Sequence, residues 1–331
     1  MINSSIAAIA IPLGRLSPWF EEALNSALSQ TVKVPVYLIA NGLQQRENER
    51  LQELAKLHQQ IKLFVFDQRV GMFENWNRIL NLVEEPYFGM LHDDDLLESW
   101  AIEKILGIIE KYPNQGIYFT SERIMDDAGI FYDEVPLIMD AAPVILTRKD
   151  IEHWAVSNRI CATGFLLNRS FAVAEGGYRV DLTYTSDWNL YFAVGAKYGA
   201  CFAGIHCGRY RFGGKTGQTT NSLAKNGFAL SEYKRQQSLN LSRIGLSDKD
   251  REKEAKISAA QFAKTTLHHF SSQLGEEGMK NVATTLVDGL IMGRLGSVKG
   301  ILGNKVCRLL ASKFISIKYP DTRKANSIAS S

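Results

Sequence analysis

An apolar run passes directly into three consecutive carboxylates at Tyr87-Phe88-Gly89-Met90-Leu91-His92-Asp93-Asp94-Asp95. The run predicts a short buried strand. Side chains alternate along a strand, so at least two of the acids are expected to face one point where the strand ends. Binding sites in α/β sheets lie at the carboxyl ends of strands, which makes this stretch a candidate site for a hard divalent cation.

The same three acids have a second interpretation, as a solvated turn that also charges the first turn of the next helix. Three adjacent anions repel one another, so the cluster is costly unless a cation or water neutralises it. The triplet alone leaves both interpretations open, and the surrounding sequence is needed to decide between a cation site and a solvated turn.

Around this stretch, apolar runs alternate with amphipathic helical patterns. The predicted strands cover residues 6–11, 34–40, 61–66, 87–91 and 116–120, and the predicted helices cover 18–30, 45–58, 71–82 and 99–112. Ser17 is expected to cap the first helix, with Pro18 at its first position. The β-α-β order predicts an α/β fold with a doubly wound, mostly parallel sheet. The absence of GxGxxG and GxxxxGK[ST] argues against a common dinucleotide fold and against a P-loop.

Charge is distributed unevenly along the 331 residues. Residues 1–221 carry 20 Lys+Arg against 26 Asp+Glu, net −6, and residues 222–331 carry 18 against 9, net +9. A basic C-terminal part suits nucleic acid, an anionic membrane surface or an acidic partner. The overall content, 45% hydrophobic and 22% charged, is that of a soluble globular protein and argues against disorder or a fibre.

Cysteine usage and the N-terminus predict a cytoplasmic protein. Cys161, Cys201, Cys207 and Cys307 form neither a CxxC pair nor a zinc-type spacing, so reduced thiols are expected. The apolar run at 6–13 lacks the flanking features of a signal peptide. No uninterrupted apolar stretch reaches the roughly 18–20 residues of a membrane span.

Several short segments carry a family resemblance through their order and spacing over roughly residues 5–220. Besides the acidic triplet they are Ile9-Ala10-Ile11-Pro12, Ala27-Leu28-Ser29-Gln30-Thr31, Leu38-Ile39-Ala40-Asn41-Gly42, Val70-Gly71, Trp76-Asn77, Gly176-Gly177-Tyr178, Ser186-Asp187-Trp188-Asn189-Leu190 and the run from Tyr210 to Gln218. The chain resembles family 2 glycosyltransferases of the GT-A (Rossmann-like) type, which use nucleotide-diphospho-sugars.

The resemblance implies a role for the triplet as the family's DxD motif. Asp94 and Asp95 would then bind Mn²⁺ or Mg²⁺, with Asp93 near the ribose of the donor. His92 stands where the first acid of the motif often lies, which leaves open which of the three acids bind metal. A structural histidine at a strand end is the alternative for His92.

The resemblance also implies a set of donor-binding residues: Pro12, Asn41, Asn77, Asp93, Asp94, Arg211 and Lys215. Asn41 stands where the family usually has an acid that contacts the base, and a tight Asn41-Gly42 turn is the alternative. Arg211 and Lys215 belong to a glycine-rich basic segment that could close over the diphosphate. A flexible surface loop is the alternative there.

Asp187 is expected to be the catalytic base. Inverting enzymes of the family use a carboxylate at this place to take the proton from the acceptor hydroxyl. The helix that follows, residues 188–196, would hold Asp187 at its N-terminal end, with Ser186 or Asp187 as cap. A plain capping role for the acid is the alternative.

The predicted domains are a GT-A domain at 1–220 and a helical, basic region at 221–331. Within the first, a nucleotide-binding half covers about 1–120 and an acceptor-binding half about 121–220. The second is predicted to contain helices at 229–241, 248–270 and 276–295, with Ser247 as a cap. From Gly289 to Pro320 it has no Asp or Glu, which suits either contact with anionic lipid or a merely solvated basic face.

The sequence thus predicts an inverting, metal-dependent glycosyltransferase that moves a sugar from a nucleotide-diphospho-sugar, with a UDP-sugar favoured, to a saccharide or lipid-linked saccharide. Bacterial surface polysaccharide or glycolipid synthesis is the expected role, in the cytoplasm or peripherally on the inner face of the plasma membrane. Nucleic acid is not an expected partner. The alternatives are a non-catalytic, membrane-attached sugar-nucleotide-binding protein and a metal-dependent nucleotidyltransferase.

Overall fold

The computed structural model describes residues 3–131, 142–158, 160, 163–212, 228–270, 274 and 276–292. These residues fall into two compact units, one within residues 1–213 and the other within residues 214–331. The first unit contains a nine-stranded mixed sheet flanked by helices, and the second is helical. The predicted α/β class with a C-terminal helical region is confirmed.

The sheet is built from nine strands in the order β3-β2-β1-β4-β8-β6-β9-β5, with β7 also paired to β9. Their bounds are β1 Ala7–Leu13, β2 Val36–Asn41, β3 Ile61–Phe66, β4 Tyr87–Met90, β5 Leu96–Leu97, β6 Ile117–Met125, β7 Val144–Ile145, β8 Phe165–Asn168 and β9 Ala200–Arg211. The first four are parallel to one another. The antiparallel β8 then joins β4 to β6.

Helices connect and cover these strands. They are α1 Phe20–Leu28, α2 Gln45–Leu57, α3 Met72–Leu82, α4 Ala101–Lys111, α5 Arg148–Val156, α6 Arg169–Ala174 and α7 Ser186–Tyr198. Apolar side chains of β1, β2, α1 and α4 form one buried core. The continuous apolar run of β1 is explained by its position, because a central parallel strand is covered on both faces.

The acidic triplet follows β4, which is a neighbour of β1 near the middle of the sheet. Directly after the triplet, β5 pairs antiparallel with β9, with Leu96 opposite Arg209 and Leu97 opposite Gly208. The loop that carries the acids is therefore held between β4 on one side and β9 on the other. This is the edge where the parallel strands β1 and β4 have their carboxyl ends.

The start of α1 differs from its prediction. The helix begins at Phe20, with Trp19 in the N-cap position and no side-chain cap bond. Ser17 was expected to cap it and lies outside the N-cap position, but its hydroxyl oxygen still accepts the N–H of Trp19 at 3.2 Å. The same hydroxyl donates to the carbonyl oxygen of Asp93, which links the start of the helix to the acidic loop.

The second unit contains three described helices, α8 Phe228–Arg243, α9 Glu252–Phe270 and α10 Glu276–Met292. Leu230, Ala263 and Leu286 belong to its apolar core. Helices α9 and α10 pack closely at Gly289, where an added Cβ would clash with the Cβ of Ala260. Residues 293–331, which include most of the predicted lipid-contacting stretch, lie outside the described residues. Among the described helices, none has the length and apolarity needed to cross a membrane.

Candidate functional site

The loop after β4 begins on the sheet and then turns sharply. The backbone N–H of Leu91 still donates to the carbonyl oxygen of Ala10 at 3.0 Å, which continues the pairing with β1. Four residues later, the N–H of Asp95 donates to the carbonyl oxygen of His92 at 3.3 Å. This turn gathers the imidazole and the three carboxylates within a few residues of the strand end.

Asp95 is the most buried of the three acids, with no exposed surface. Its Oδ1 accepts the backbone N–H of Arg211 at 2.9 Å, and its Oδ2 accepts the Thr163 hydroxyl at 2.9 Å. A buried carboxylate needs such donors, because without them its charge would be expensive to keep away from water. Asp95 therefore ties the acidic loop to β9 and to the residues before β8.

Asp93 is tied to the loop after β1. Its Oδ2 accepts the backbone N–H of Ser17 at 2.8 Å, and its carbonyl oxygen accepts the Ser17 hydroxyl. Burial raises the pKa of Asp93, and the Ser17 bond together with the positive charges of His92 and Arg15 opposes that rise. The exposed side chain of Arg15 therefore lies near enough to act on the acidic loop.

His92 lies between the carboxylates and an aromatic side chain of α3. Its Nδ1 is 3.6 Å from Oδ2 of Asp95, and its ring centroid is 5.3 Å from that of Trp76. Burial lowers the pKa of His92, but the bond to Asp95 and the charges of Asp95, Asp94 and Asp93 outweigh burial and raise the pKa to about 9. The neighbouring carboxylates thus favour the protonated form of the imidazole.

The donor set formed by His92, Asp94 and Asp95 fits a divalent cation. Each residue offers one ligand atom, and these atoms lie within 4.8 Å of one another. Each carboxylate oxygen has more than one lone pair, so the two donors on Asp95 leave it able to bind a cation as well. Carboxylates suit Mg²⁺ and Mn²⁺, whereas an imidazole favours transition metals over Mg²⁺.

Arg211 lies at the end of β9 with 1% of its side chain exposed. Its Nε donates to the carbonyl oxygen of Asp94 at 2.9 Å, and its Nη2 donates to Oε2 of Glu22 at 3.0 Å. Its Nη1 donates to the carbonyl oxygens of Asp126 and Asp127 at 3.3 and 3.0 Å. The structure thus places this predicted donor-binding residue among protein groups, and its contact with a donor stays a prediction.

Asn41 is used to hold a neighbouring loop. The Asn41 Nδ2 donates to the Val70 carbonyl oxygen at 2.9 Å, and its Oδ1 accepts the Val70 N–H at 2.9 Å. Nη1 of Arg78 also donates to that Oδ1, at 3.0 Å. The side chain is 3% exposed, so its amide is occupied by the segment that leads into α3.

Asn77 and Pro12, the other predicted donor contacts near these strands, have different surroundings. The Asn77 amide pairs with the backbone of Tyr178, which follows Gly177 in a turn with positive φ. Pro12 is half-buried within β1, opposite Ile39 of β2. Their roles in donor binding stay predictions, and Lys215 lies outside the described residues.

Asp187 lies in the first turn of α7, as expected, although Thr185 rather than Ser186 or Asp187 occupies the N-cap position. Its Oδ1 accepts the N–H of Trp188 at 2.7 Å. Burial raises the pKa of Tyr178 and of Tyr191, and the charge of Asp187 raises both further. The carboxylate is therefore close to these two buried phenols.

An aromatic cluster connects the surroundings of Asp187 with the acidic loop. The hydroxyls of Tyr178 and Tyr191 are 3.3 Å apart. The Tyr178 ring lies edge-on to Trp76 at 5.3 Å, and Trp76 packs beside His92 at the same centroid distance. Because one compact cluster borders both carboxylate groups, the acidic loop and the predicted base belong to the same region of the first unit.

Ser17 and Thr163 are the residues of this region that the sequence interpretation missed. Both hold acids of the triplet through bonds that span 76 and 68 residues. A lone Ser before a helix and a lone Thr in a loop carry no pattern that names a distant partner.

Comparison with known proteins shows a similarity to one family of glycosyltransferases. The model for glycosyl transferase family 2 matches residues 9–172, which include β1 to β4, the acidic triplet and β8. An uncharacterized glycosyltransferase of Haemophilus influenzae is 24% identical over 112 residues, 34% of this chain and 35% of that protein. The match therefore spans about a third of the relative. Over residues 9–172, just under half of the chain, the sequence is similar to glycosyl transferase family 2.

Solved structures share the fold. S. aureus TarS 1–349 in complex with UDP-GlcNAc superposes with a TM-score of 0.54 and 9% sequence identity, covering 87% of this chain and 89% of that chain. The same protein in complex with UDP gives a TM-score of 0.52 over the same shares, also at 9% identity. At this level of identity the likeness shows the fold alone.

Proposed function

We propose that this protein transfers a sugar from a nucleotide-diphospho-sugar to an acceptor hydroxyl with inversion at the anomeric carbon. The observation that carries the proposal is the cluster of His92, Asp94 and Asp95 after β4, inside the region that matches the family. The TarS structures that share the fold hold UDP-GlcNAc or UDP, which favours a UDP-sugar as donor.

His92, Asp94 and Asp95 would hold a divalent cation, Mn²⁺ in preference to Mg²⁺ because one ligand is an imidazole. When bound, the cation supplies positive charge that stabilises the departing diphosphate. The chain itself supplies rigid support, since Thr163 and the N–H of Arg211 fix the Asp95 carboxylate. Such fixed ligands avoid the cost of reorganisation during the reaction.

Asp187 is the proposed base. It takes the proton from the acceptor hydroxyl as that oxygen forms a bond to the anomeric carbon. The bond from the anomeric carbon to the diphosphate oxygen breaks at the same time, and its electron pair leaves with the nucleoside diphosphate. The charge of Asp187 acts on the buried phenols of Tyr178 and Tyr191, which places the carboxylate beside the aromatic cluster. General-base assistance contributes about 10²–10⁴-fold to the rate.

A role in bacterial surface polysaccharide or glycolipid synthesis is part of the proposal, with a saccharide or lipid-linked saccharide as acceptor. Its support is the charge of the C-terminal part, where residues 222–331 carry a net charge of +9. A segment of this charge is expected to be attracted to anionic lipid, next to which lipid-linked acceptors lie. Binding of the full chain to vesicles with and without anionic lipid tests this part separately.

The first test is release of nucleoside diphosphate from UDP-, GDP- and dTDP-sugars with Mn²⁺, with Mg²⁺ and with chelator. The parent protein is expected to release diphosphate from one donor in a metal-dependent way, and Asp94→Asn is expected to lose this activity. Asp181→Asn is a matched control, because Asp181 is an exposed acid paired with Arg179. Release that persists with chelator would overturn the metal assignment, and failure to bind any sugar nucleotide would overturn the proposed activity.

The base and the stereochemistry have their own tests. Asp187→Asn is expected to bind the donor like the parent protein while turnover falls by about 10²–10⁴-fold. Turnover at the parent's rate would show that Asp187 is not the base. The anomeric configuration of the product, measured by NMR, is expected to be opposite to that of the donor, and retention would contradict the direct displacement.

A further inference from the structure

The environment of Arg211 is unusual for an arginine next to a site expected to bind a diphosphate. The side chain is 1% exposed, and Nε and both Nη atoms donate to protein acceptors. One of these acceptors is the carboxylate of Glu22 on α1, and the guanidinium carbon lies 4.8 Å from the centroid of the Trp19 ring. The Arg211 guanidinium is thus enclosed by α1, the acidic loop and the segment at Asp126 and Asp127.

Burying this charge costs free energy that the ion pair and the hydrogen bonds must offset. Glu22 supplies the opposite charge, although its own side chain is 60% exposed. Arginine suits such a position because its planar guanidinium presents donors in fixed directions, which an ammonium group does not. The arrangement is therefore specific to arginine in its geometry as well as in its charge.

Arg211 contacts both carboxylate-bearing residues of the candidate metal site. Its Nε holds the backbone of Asp94 through the carbonyl oxygen, and its own N–H holds the Asp95 carboxylate. These two bonds come from one residue, so the spacing of Asp94 and Asp95 depends on where Arg211 lies. The position of Arg211 in turn depends on Glu22 and on the two carbonyl groups of Asp126 and Asp127.

Building on the proposed function, we propose that Arg211 is a positioning residue that sets the metal affinity of the site, with Glu22 as its supporting partner. It acts through Asp94 and Asp95 and does not contact the cation or the diphosphate. Groups that orient metal ligands in this way typically change metal affinity by about 10–100-fold when they are altered.

The test is Mn²⁺ binding to the full chain, measured by the loss of the free-ion signal in electron paramagnetic resonance. The variants are Arg211→Lys, Glu22→Gln and Glu21→Gln. Glu21 is the matched control, because it neighbours Glu22, is 63% exposed and pairs with Arg50 rather than with Arg211. We expect Kd to rise about tenfold in Arg211→Lys and severalfold in Glu22→Gln, and to stay at the parent's value in Glu21→Gln.

The possible results separate this inference from the proposed function. Equal Kd values in the parent protein, Arg211→Lys and Glu22→Gln overturn the positioning role alone. Absence of Mn²⁺ binding by the parent protein overturns the metal site and this inference together. If Arg211→Lys does not fold, Glu22→Gln still tests the positioning role. The exposed Glu22 side chain is there replaced by an uncharged one of the same shape that keeps an acceptor oxygen, so the variant is expected to fold.

Discussion

Asn77 pairs with the backbone of Tyr178 in both directions, its Nδ2 donating to the carbonyl oxygen and its Oδ1 accepting the N–H, each at 2.7 Å. The two residues lie 101 positions apart. Asn41 holds Val70 in the same way, with two bonds of 2.9 Å. In both places an amide side chain forms the two backbone hydrogen bonds that a neighbouring strand would form. It thereby fixes a loop at the border of the candidate site.

Asn77→Asp is expected to destabilise the first unit. A carboxylate can still accept the Tyr178 N–H but can no longer donate to its carbonyl oxygen, and an unsatisfied buried group costs about 1–3 kcal/mol. Asn81→Asp is the control, because Asn81 is exposed on the same helix. Urea denaturation measures both, and equal midpoints for the two variants would contradict the structural role of Asn77.

Asp95→Asn is expected to destabilise the metal-free protein more than Asp94→Asn does. In Asp95→Asn an amide N–H₂ must face a donor, either the Arg211 N–H or the Thr163 hydroxyl, at a cost of about 1–3 kcal/mol. Asp94→Asn removes one charge from a crowded acidic cluster, so its effect is expected to be near zero or stabilising. Free energies of unfolding measured with chelator compare the two, and the reverse order would refute this division of roles.

Mn²⁺ is expected to stabilise the protein against heat. A cation at about 100 times its Kd that binds only the folded state adds about 2.7 kcal/mol. For a unit of about 200 residues this raises Tm by about 5–10 °C. Chelator should abolish the rise, Asp94→Asn should not show it, and Mg²⁺ should give a smaller rise because of the His92 ligand. A larger effect of Mg²⁺ than of Mn²⁺ would argue against His92 as a ligand.

Cys201 and Cys207 are expected to resist alkylation in the folded protein. Burial raises the pKa of Cys201 from 9.0 to about 11 and that of Cys207 from 9.0 to about 12, and the thiolate is the reactive form. Because of the raised pKa values, the folded state holds the two thiol protons more tightly than the unfolded state does. The free energy of unfolding is therefore expected to fall as the pH rises from about 9 through 12. Peptide mapping after iodoacetamide treatment at pH 8 should find both unlabelled, and labelled only in denaturant. Rapid labelling of the folded protein would contradict their burial.

Local patterns predicted most of the strands and helices within the first 120 residues. The third strand has the bounds expected for it, Ile61–Phe66, and α2 begins at the expected Gln45. Each of these elements carries its own apolar period over six or more residues. The strands β5, β7, β8 and β9 and the helices α5 and α6 were not predicted. Strands β5 and β7 have two residues each, too few to show a period, and both pair with β9.

The location of the acidic triplet at a strand end was predicted, but the division of roles within it was not. Asp95 is buried because Thr163 and Arg211 donate to it, and both are remote in sequence. Local spacing indicated Ser17 as a helix cap, but did not reveal that its hydroxyl also donates to Asp93, which is 76 residues away. In each case the missing information was which distant segments meet.

The bonds that fix the acidic loop also constrain when the site can form during synthesis. The loop is complete once residue 95 has left the ribosome, but its partners Thr163 and Arg211 follow 68 and 116 residues later. Closing such long loops is slow compared with forming local helices. A nascent chain that ends before β9 would carry the acids, Ser17 and Thr163 without Arg211, so the full ability to bind a cation is expected to arise only after β9 has been made.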